Sequence, residues 1–353
     1  MLKNMTTTAV GGPATHTVTA TSEAELIAAL IAAEQAGEKI LLVGGGSNLV
    51  IADAGFAGTA IRIASRGLSI AQLDDARVLL RAAAGENWDA TVEYSLAEGL
   101  SGLEALSGIP GCVGATPVQN VGAYGADVSQ SLLWARVWDR VAGEVKQLSN
   151  QDLEFAYRDS LIKRTSDNGS PRYVVLEVAF ELARNSESAP IRYAELARRL
   201  GVEAGQAADA ALVRQTVLDL RRSKGMVYDP RDPDSHSTGS FFTNPIVDSQ
   251  LLAQLPDNAP NYPVEQDGMV KLSAAWLIDQ AGFAKGYGLE GTEGFGLAGG
   301  RAALSTKHTL AITNRADATA ADILAIARAV RGGVEQRFGI TLENEPLLIG
   351  LEL

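Results

Sequence analysis

Residues 105–126 read ALSGIPGCVGATPVQNVGAYGA, and no charged side chain stands between Glu104 and Asp127. Glycines fall at 108, 111, 114, 122 and 125, prolines at 110 and 117. Glycine at this density permits turns with φ > 0 and lets a backbone lie close against a partner. The prolines stiffen the path and remove two N–H donors. A solvated loop would carry charges, and a disordered linker would lack Ile109, Val113, Val118 and Val121. The stretch therefore predicts an ordered, buried loop against a large ligand, offering main-chain N–H groups with Thr116, Gln119 and Asn120. A dinucleotide cofactor needs such a surface.

A second glycine cluster, Gly44-Gly45-Gly46-Ser47-Asn48, follows the apolar run Ile40–Val43. It fails the dinucleotide fingerprint, because Leu49 holds the sixth place and a strand-like run follows instead of a helix. The Walker pattern fails for want of Gly-Lys. Two readings stay open: a nest of N–H groups for a phosphate, or a tight hairpin turn.

Length and composition set outer bounds. The 353 residues allow two domains, and 46% hydrophobic with 20% charged is ordinary for a globular protein. The net charge of −12 argues against nucleic acid or an anionic membrane as the main partner. Cys112 is the single cysteine, so no internal disulfide is possible. No apolar run approaches the ~18 residues of a membrane span, and residues 1–14 read as a flexible leader without a signal-peptide core. A cytoplasmic location is expected.

Local signals place the elements. Ser22 and Glu25 form a capping box for a helix over 22–36 stopped by Gly37. Strands are expected at 49–52, 59–63, 78–84 and 174–182, and helices at 88–97, 207–224, 272–281 and 319–337. Residues 226–238 are turn-rich and mark a boundary. Strand-like Ser240–Phe242 and a closing strand over 346–353 complete the pattern.

Three further clusters carry chemical potential. Arg158, in Tyr157-Arg158-Asp159-Ser160, offers a planar fork for a carboxylate or phosphate; alone, a surface ion pair with Asp159 is the simpler reading. Ser240 lies in GSFFTNP (239–245), where a lone serine lacks an obvious base and suits proton or hydrogen-bond donation better than acyl chemistry; a strand-edge hydroxyl is the alternative. In LENEP (342–346), Glu343 and Glu345 would share a strand face, with a solvated terminal strand as the default. His236 and His308 read as structural or surface residues, and no cluster has metal-ligand spacing.

In order, LLVGGGSNLV (41–50), SGIPGCVGATPVQNVGAYG (107–125), YRDSLIK (157–163), GSFFTNP (239–245), KLSAAWLIDQAGFAKG (271–286) and LENEPLLIG (342–350) resemble the UDP-N-acetylenolpyruvoylglucosamine reductase family, longer type. They span nearly the whole chain. The resemblance implies an α+β protein with the FAD-binding fold of the vanillyl-alcohol-oxidase type and a C-terminal substrate-binding domain. Its expected organisation is a leader over 1–14, an FAD-binding domain over 15–225 with lobes at about 15–77 and 78–225, a substrate-binding domain over 226–338, and a C-terminal strand over 339–353 returning to the active site.

Carried onto this chain, the resemblance implies non-covalent FAD held by Gly44, Gly45, Gly46, Ser47 and Asn48. It adds Ser107, Gly108, Ile109, Pro110, Gly111, Gly114 and Ala115 from the first half of the long loop. Gln119, Asn120, Gly122, Ala123 and Tyr124 come from the second half. Arg158 would polarise a substrate carboxylate, Glu345 would help stabilise an enol-like intermediate, and Ser240 would protonate it. Tyr193, in the insert IRYAEL (191–196), would close over a diphosphate, and Lys224, Asn244 and Lys285 would bind a UDP moiety.

The implied partners are UDP-N-acetylglucosamine enolpyruvate and NADPH, with a monomer favoured. Departures are Cys112, the extra Ala284 before Lys285, and Leu347 in place of a frequent basic residue. An oxygen-using flavin oxidase of the same fold and a non-catalytic flavin or nucleotide-sugar binder are the alternatives.

Overall fold

The computed structural model describes residues 1–167, 169–264 and 266–353. They divide into two compact units, one of Ala14–Gly46 and Ala57–Ser223, the other of Met1–Pro13, Ser47–Phe56 and Lys224–Leu353.

The first unit holds two sheets. One has three strands, in the order Ala14–Ala20, Phe56–Ile63, Ile40–Val43, with the last two parallel and Ile40 opposite Thr59. Helix Glu23–Gln35 packs on it through Leu26, Leu30 and Ala33. Ser22 caps that helix by accepting from Glu25 N–H at 3.2 Å, while the Glu25 carboxylate takes Thr21 N–H and Oγ1–H at 2.8 Å. Thr21 thus takes the reciprocal part of the expected box.

The other sheet is antiparallel, in the order Glu144–Ser149, Leu132–Asp139, Tyr173–Ala183, Arg77–Ala83, Leu68–Gln72. Its central strand, YVVLEVAFELA, is apolar on both faces because layers cover both sides. Phe180 meets Trp88 of helix Trp88–Ala97 at 5.7 Å between ring centroids. Strands 132–139 and 144–149 lack a strong local signature, and the sequence reading passed over them.

In the second unit, Met269–Leu272 is the central strand between Ile246–Asp248 and Asn261–Pro263. Helices Ala274–Gln280 and Ala320–Phe338 bury Leu277, Ile278, Ile323, Ile326 and Val330 around Phe241 and Phe242. The long helix starts with a complete Thr319/Asp322 capping box, as its sequence predicts. Two further first-turn N–H groups, of Ala320 and Ala321, donate to the Asp53 carboxylate at 2.9 and 3.2 Å.

Four expectations are corrected. The leader is not loose: Leu2 is buried, its N–H donates to Gly12 O at 2.9 Å, and Thr7 Oγ1 donates to Ser237 O at 2.6 Å. Residues 47–56, placed by sequence in the first domain, belong to the unit of the C-terminal half, because Leu49–Ile51 pairs in parallel with Leu347–Ile349. Ser240–Phe242 is not a strand; Phe242 makes one isolated bridge, to Asn344. The closing strand is only Leu347–Ile349, ended by Gly350 at φ 69°.

Candidate active site

In the first unit the two glycine stretches meet. A Cβ built on Gly45 would lie 2.5 Å from Gly111 Cα, and one on Gly44 would strike Cys112 Sγ. A larger residue at 45 would have to move backbone and one at 44 would have to displace the buried Cys112 thiol, so the turn after strand Ile40–Val43 is laid directly on the 105–126 loop. Gly111 sits at φ 137° and Gly108 at φ 71°, conformations that favour glycine.

The loop is anchored from helix Trp88–Ala97. Trp88 Nε1–H donates to Leu106 O at 2.9 Å, and Gly108 N–H donates to Asp89 Oδ1 at 2.6 Å. Arg214, on helix Ala210–Ser223, grips Asp89 with both terminal nitrogens at 2.6 and 3.0 Å. That guanidinium and the Gly108 bond hold the Asp89 carboxyl below its ordinary value against the opposing effect of burial. Seven residues on, Arg221 is buried, and its charge acts on both Asp89 and Tyr124. The sequence reading did not single out Asp89, Arg214 or Arg221. The spacing of 214 and 221, two helical turns on one face, was the available signal.

Asn120 and Tyr124 have φ of 45° and 53°, which non-glycine residues seldom adopt. The Asn120 side chain is committed to the protein, donating to Ala156 O at 3.2 Å and accepting from Ser129 N–H at 3.1 Å. Ser107 Oγ is likewise engaged, with Glu104 O at 2.7 Å. Tyr124 meets Tyr193 edge-on at 5.4 Å between centroids, and burial raises its phenol to about 12. Tyr193 is partly exposed and precedes helix Ala194–Leu200.

Arg158 is set against the end of the same loop. Its backbone is left-handed (φ 54°), and Nη2–H donates to Gly122 O at 2.8 Å. Lys163 Nζ donates to the Arg158 carbonyl at 2.7 Å. Asp159, the partner suggested by a simple surface-pair reading, forms an ion pair with Arg164.

The second unit brings the segments that carry Ser240 and Glu345 together. Glu345 N–H donates to Phe241 O at 2.9 Å and Thr243 N–H to Glu343 O at 3.0 Å. The segments around Ser240 and Glu345 therefore run antiparallel, anchored by the buried Phe241 and Phe242 rings. Glu345 is partly buried, whereas Glu343 is exposed. The Asn48 amide donates to Glu345 O at 3.3 Å.

Lys224 and Lys285 both act on His308, and with burial they push its imidazole down to about 4. The two lysines thus supply the positive charge beside a neutral His308, a grouping that the sequence reading split, since it treated His308 as structural. Asn244 Oδ1 accepts from Ala274 N–H at 3.0 Å and so supports the start of helix Ala274–Gln280.

Residues Gly44–Gly46 and the 105–126 loop have the chemistry that FAD requires. They offer closely apposed glycine backbones without side chains in the way, next to strained positions where the loop turns. Among the described residues no group of His, Cys, Asp and Glu could hold a metal ion, and no helix is long and apolar enough to cross a membrane.

The class defined by these features is that of FAD-binding flavoproteins: residues 14–149 match the model of the FAD binding domain. Residues 230–349 match the C-terminal domain of UDP-N-acetylenolpyruvoylglucosamine reductase. Full-length relatives carry that same description: one from Thermobifida fusca, 52% identical over 100% of this chain and 97% of its own, and one from Streptomyces coelicolor, 50% identical over 100% and 90%. The crystal structure of a reductase of this kind from Thermus caldophilus superposes with a TM-score of 0.63 at 23% identity, covering 99% of this chain and 97% of its own, and shows the shared fold. The chain belongs to the UDP-N-acetylenolpyruvoylglucosamine reductase family. The fold is α+β, an FAD binding domain with the family's C-terminal domain.

Proposed function

We propose that the chain is an FAD-dependent oxidoreductase that reduces UDP-N-acetylglucosamine enolpyruvate to UDP-N-acetylmuramate with NADPH, in peptidoglycan precursor synthesis. Full-length identity of about one residue in two to reductases of that description carries the reading. The apposition of Gly45 on Gly111 supports it, as a side-chain-free cradle for a pyrophosphate. Gly44–Gly46 and the 107–125 loop hold FAD, with Ser47 and Asn48 continuing the turn. The unit of Lys224–Leu353 binds substrate. The protein works in the cytoplasm as a monomer, without nucleic acid or membrane.

Bound FAD supplies hydride chemistry between NADPH and the β-carbon of the enolpyruvyl ether. Arg158 stays cationic at any working pH and stabilises the negative charge that develops on the substrate carboxylate. Its bond to Gly122 O supports a fixed orientation. Ser240 donates its proton to the α-carbon, a general-acid step by a weak acid. Glu345 aids that step only as the protonated acid or through a water, since a second anion would oppose it. Lys224, Lys285 and Asn244 take the UDP moiety and Tyr193 covers the diphosphate.

Anaerobic NADPH should bleach the bound flavin, and the enolpyruvyl substrate should restore its colour stoichiometrically. Rapid recolouring by air alone would favour an oxidase, and a protein that takes up no FAD would end the proposal.

A further inference from the structure

The glycine loop of residues 105–126 is tied to residues 86–89, which lead into helix Trp88–Ala97. Glu86 O accepts from Val113 N–H at 2.9 Å, and Trp88 N–H donates to Gly111 O at 3.2 Å. Trp88 Nε1–H adds a bond to Leu106 O, and Asp89 Oδ1 takes Gly108 N–H at 2.6 Å. Only the last of these ties is made by a charged group. Arg214, 125 positions along the chain, fixes that carboxylate with Nη1 on Oδ1 at 2.6 Å and Nη2 on Oδ2 at 3.0 Å. The Arg214 side chain is 13% exposed and that of Asp89 34%, so the pair is drier and better aligned than the usual surface bridge, which is worth little.

A simpler role exists for Asp89. An acid in the first turn suits the helix dipole without any partner, and Asn87 already caps this helix by accepting from Ala90 N–H at 2.9 Å. Neither role calls for a bond to Gly108 or for an arginine from another helix. The bond matters to the loop instead. Gly108 turns at φ 71° and Gly111 at φ 137°. Among the described residues, the N–H groups of Ile109 and Gly111 meet no acceptor in the chain, and Pro110 between them has no N–H. Asp89 thus takes up the first N–H of the turn, and the next two remain for a ligand.

We propose that Asp89 and Arg214 are positioning residues for FAD: by holding Gly108 N–H they keep the 108–111 turn in the shape that offers Ile109 and Gly111 N–H to the cofactor. The inference rests on the flavin-reductase reading. All of these residues belong to the unit of Ala14–Gly46 and Ala57–Ser223. Neither side chain need touch FAD, because the two-point grip of guanidinium on carboxylate fixes the angle of the acceptor that Gly108 meets.

The test uses full-length holoenzyme, dialysed to equilibrium well below every Tm, as Asp89→Ala, Asp89→Asn, Arg214→Met and the double variant Asp89→Ala/Arg214→Met. FAD dissociation constant and flavin spectrum are read beside Tm. Asp89→Ala should weaken FAD binding about tenfold and alter the spectrum, and Arg214→Met should weaken it about threefold. Asp89→Asn keeps an acceptor for Gly108 N–H and should stay closer to wild type than Asp89→Ala. The double variant should be no weaker than Asp89→Ala, because both changes undo one grip. Should Asp89→Ala not fold, Asp89→Asn, Arg214→Met and their double variant close the same cycle. Variants that lose Tm yet match wild type in FAD affinity and spectrum, or losses that simply add in the double variant, would overturn this inference alone. Wild-type protein that takes up no FAD would overturn the functional reading and this inference with it.

Discussion

Asn48 closes the second glycine motif by donating its side-chain amide to the main-chain carbonyl of Glu345, 297 positions away, at 3.3 Å. Leu347 N–H returns the connection by donating to Asn48 O at 3.0 Å. The residue read from sequence as a cofactor contact thus also fixes the backbone of the acid assigned to the chemistry. Asn48→Ala should lower stability by about 1 kcal/mol, the usual net worth of one such bond. It should slow flavin reoxidation by substrate more than reduction by NADPH. Stopped-flow absorbance would check this, and equal slowing of both half-reactions would dissociate Asn48 from Glu345.

Gly45→Ala forces a methyl carbon to within 2.5 Å of Gly111 Cα, and neither partner is a flexible side chain. Backbone displacement of this kind should cost about 1–3 kcal/mol. The loss should fall on FAD retention at least as heavily as on Tm, because the displaced atoms form the proposed cradle. Gel filtration of the variant with spectral quantitation of retained flavin measures it.

Ser240→Ala should leave NADPH-dependent bleaching near wild type while slowing reoxidation by the enolpyruvyl substrate by about 10²–10⁴-fold, the usual range for a lost general acid. A variant equally slow in both half-reactions would remove Ser240 from the proton-transfer role.

His308 should titrate near pH 4, as Lys224, Lys285 and burial disfavour its cation. A histidine whose folded value lies below its unfolded ~6.5 contributes stability that is complete above pH ~6.5 and lost as pH falls toward 4. Lys285→Met should move the NMR titration of the His308 ring upward and flatten that slope.

Asp139 is fully buried in the first unit, with Arg172 and Lys146 at 2.8–3.0 Å and N–H donors from Val141 and Ala142. Arg172, then Lys146 and the two N–H groups, depress its carboxyl despite burial. Its stabilisation is therefore present above the unfolded pKa of ~3.9 and declines as pH falls through the lower folded value. Asp139→Asn should cost about 2 kcal/mol at pH 7, a modest figure because Arg172 and Lys146 reach solvent. The gap to wild type in urea midpoint should narrow below pH 4.

Local signals were read well where the physics is local. Thr319 and Asp322 announce the helix at 320–338 because a capping box needs only four consecutive residues. The run Ile40–Val43 followed by three glycines announces a strand and turn for the same reason. The fate of Ser240–Phe242 was not legible. Its apolar pair looks like strand, yet the rings serve as core anchors and only Phe242 makes a bridge. The pair Arg158–Asp159 was similarly ambiguous until Asp159 was seen to pair with Arg164 and Arg158 to rest on Gly122.

The order of the six motifs from 41–50 to 342–350 pointed, by itself, to the family and the residues worth testing, and the long glycine loop to a dinucleotide-sized ligand, because a close-approach backbone needs residue types that few other structures tolerate. The tertiary structure alone decided that Gly45 lies on Gly111, that Asn48 holds Glu345, that the charges of Lys224 and Lys285 act on His308, and that residues 1–13 and 47–56 join the C-terminal half. Each of these is a contact between segments far apart in the chain. A one-dimensional pattern records what each segment can bury or donate, and only the packed chain selects which distant partner receives it.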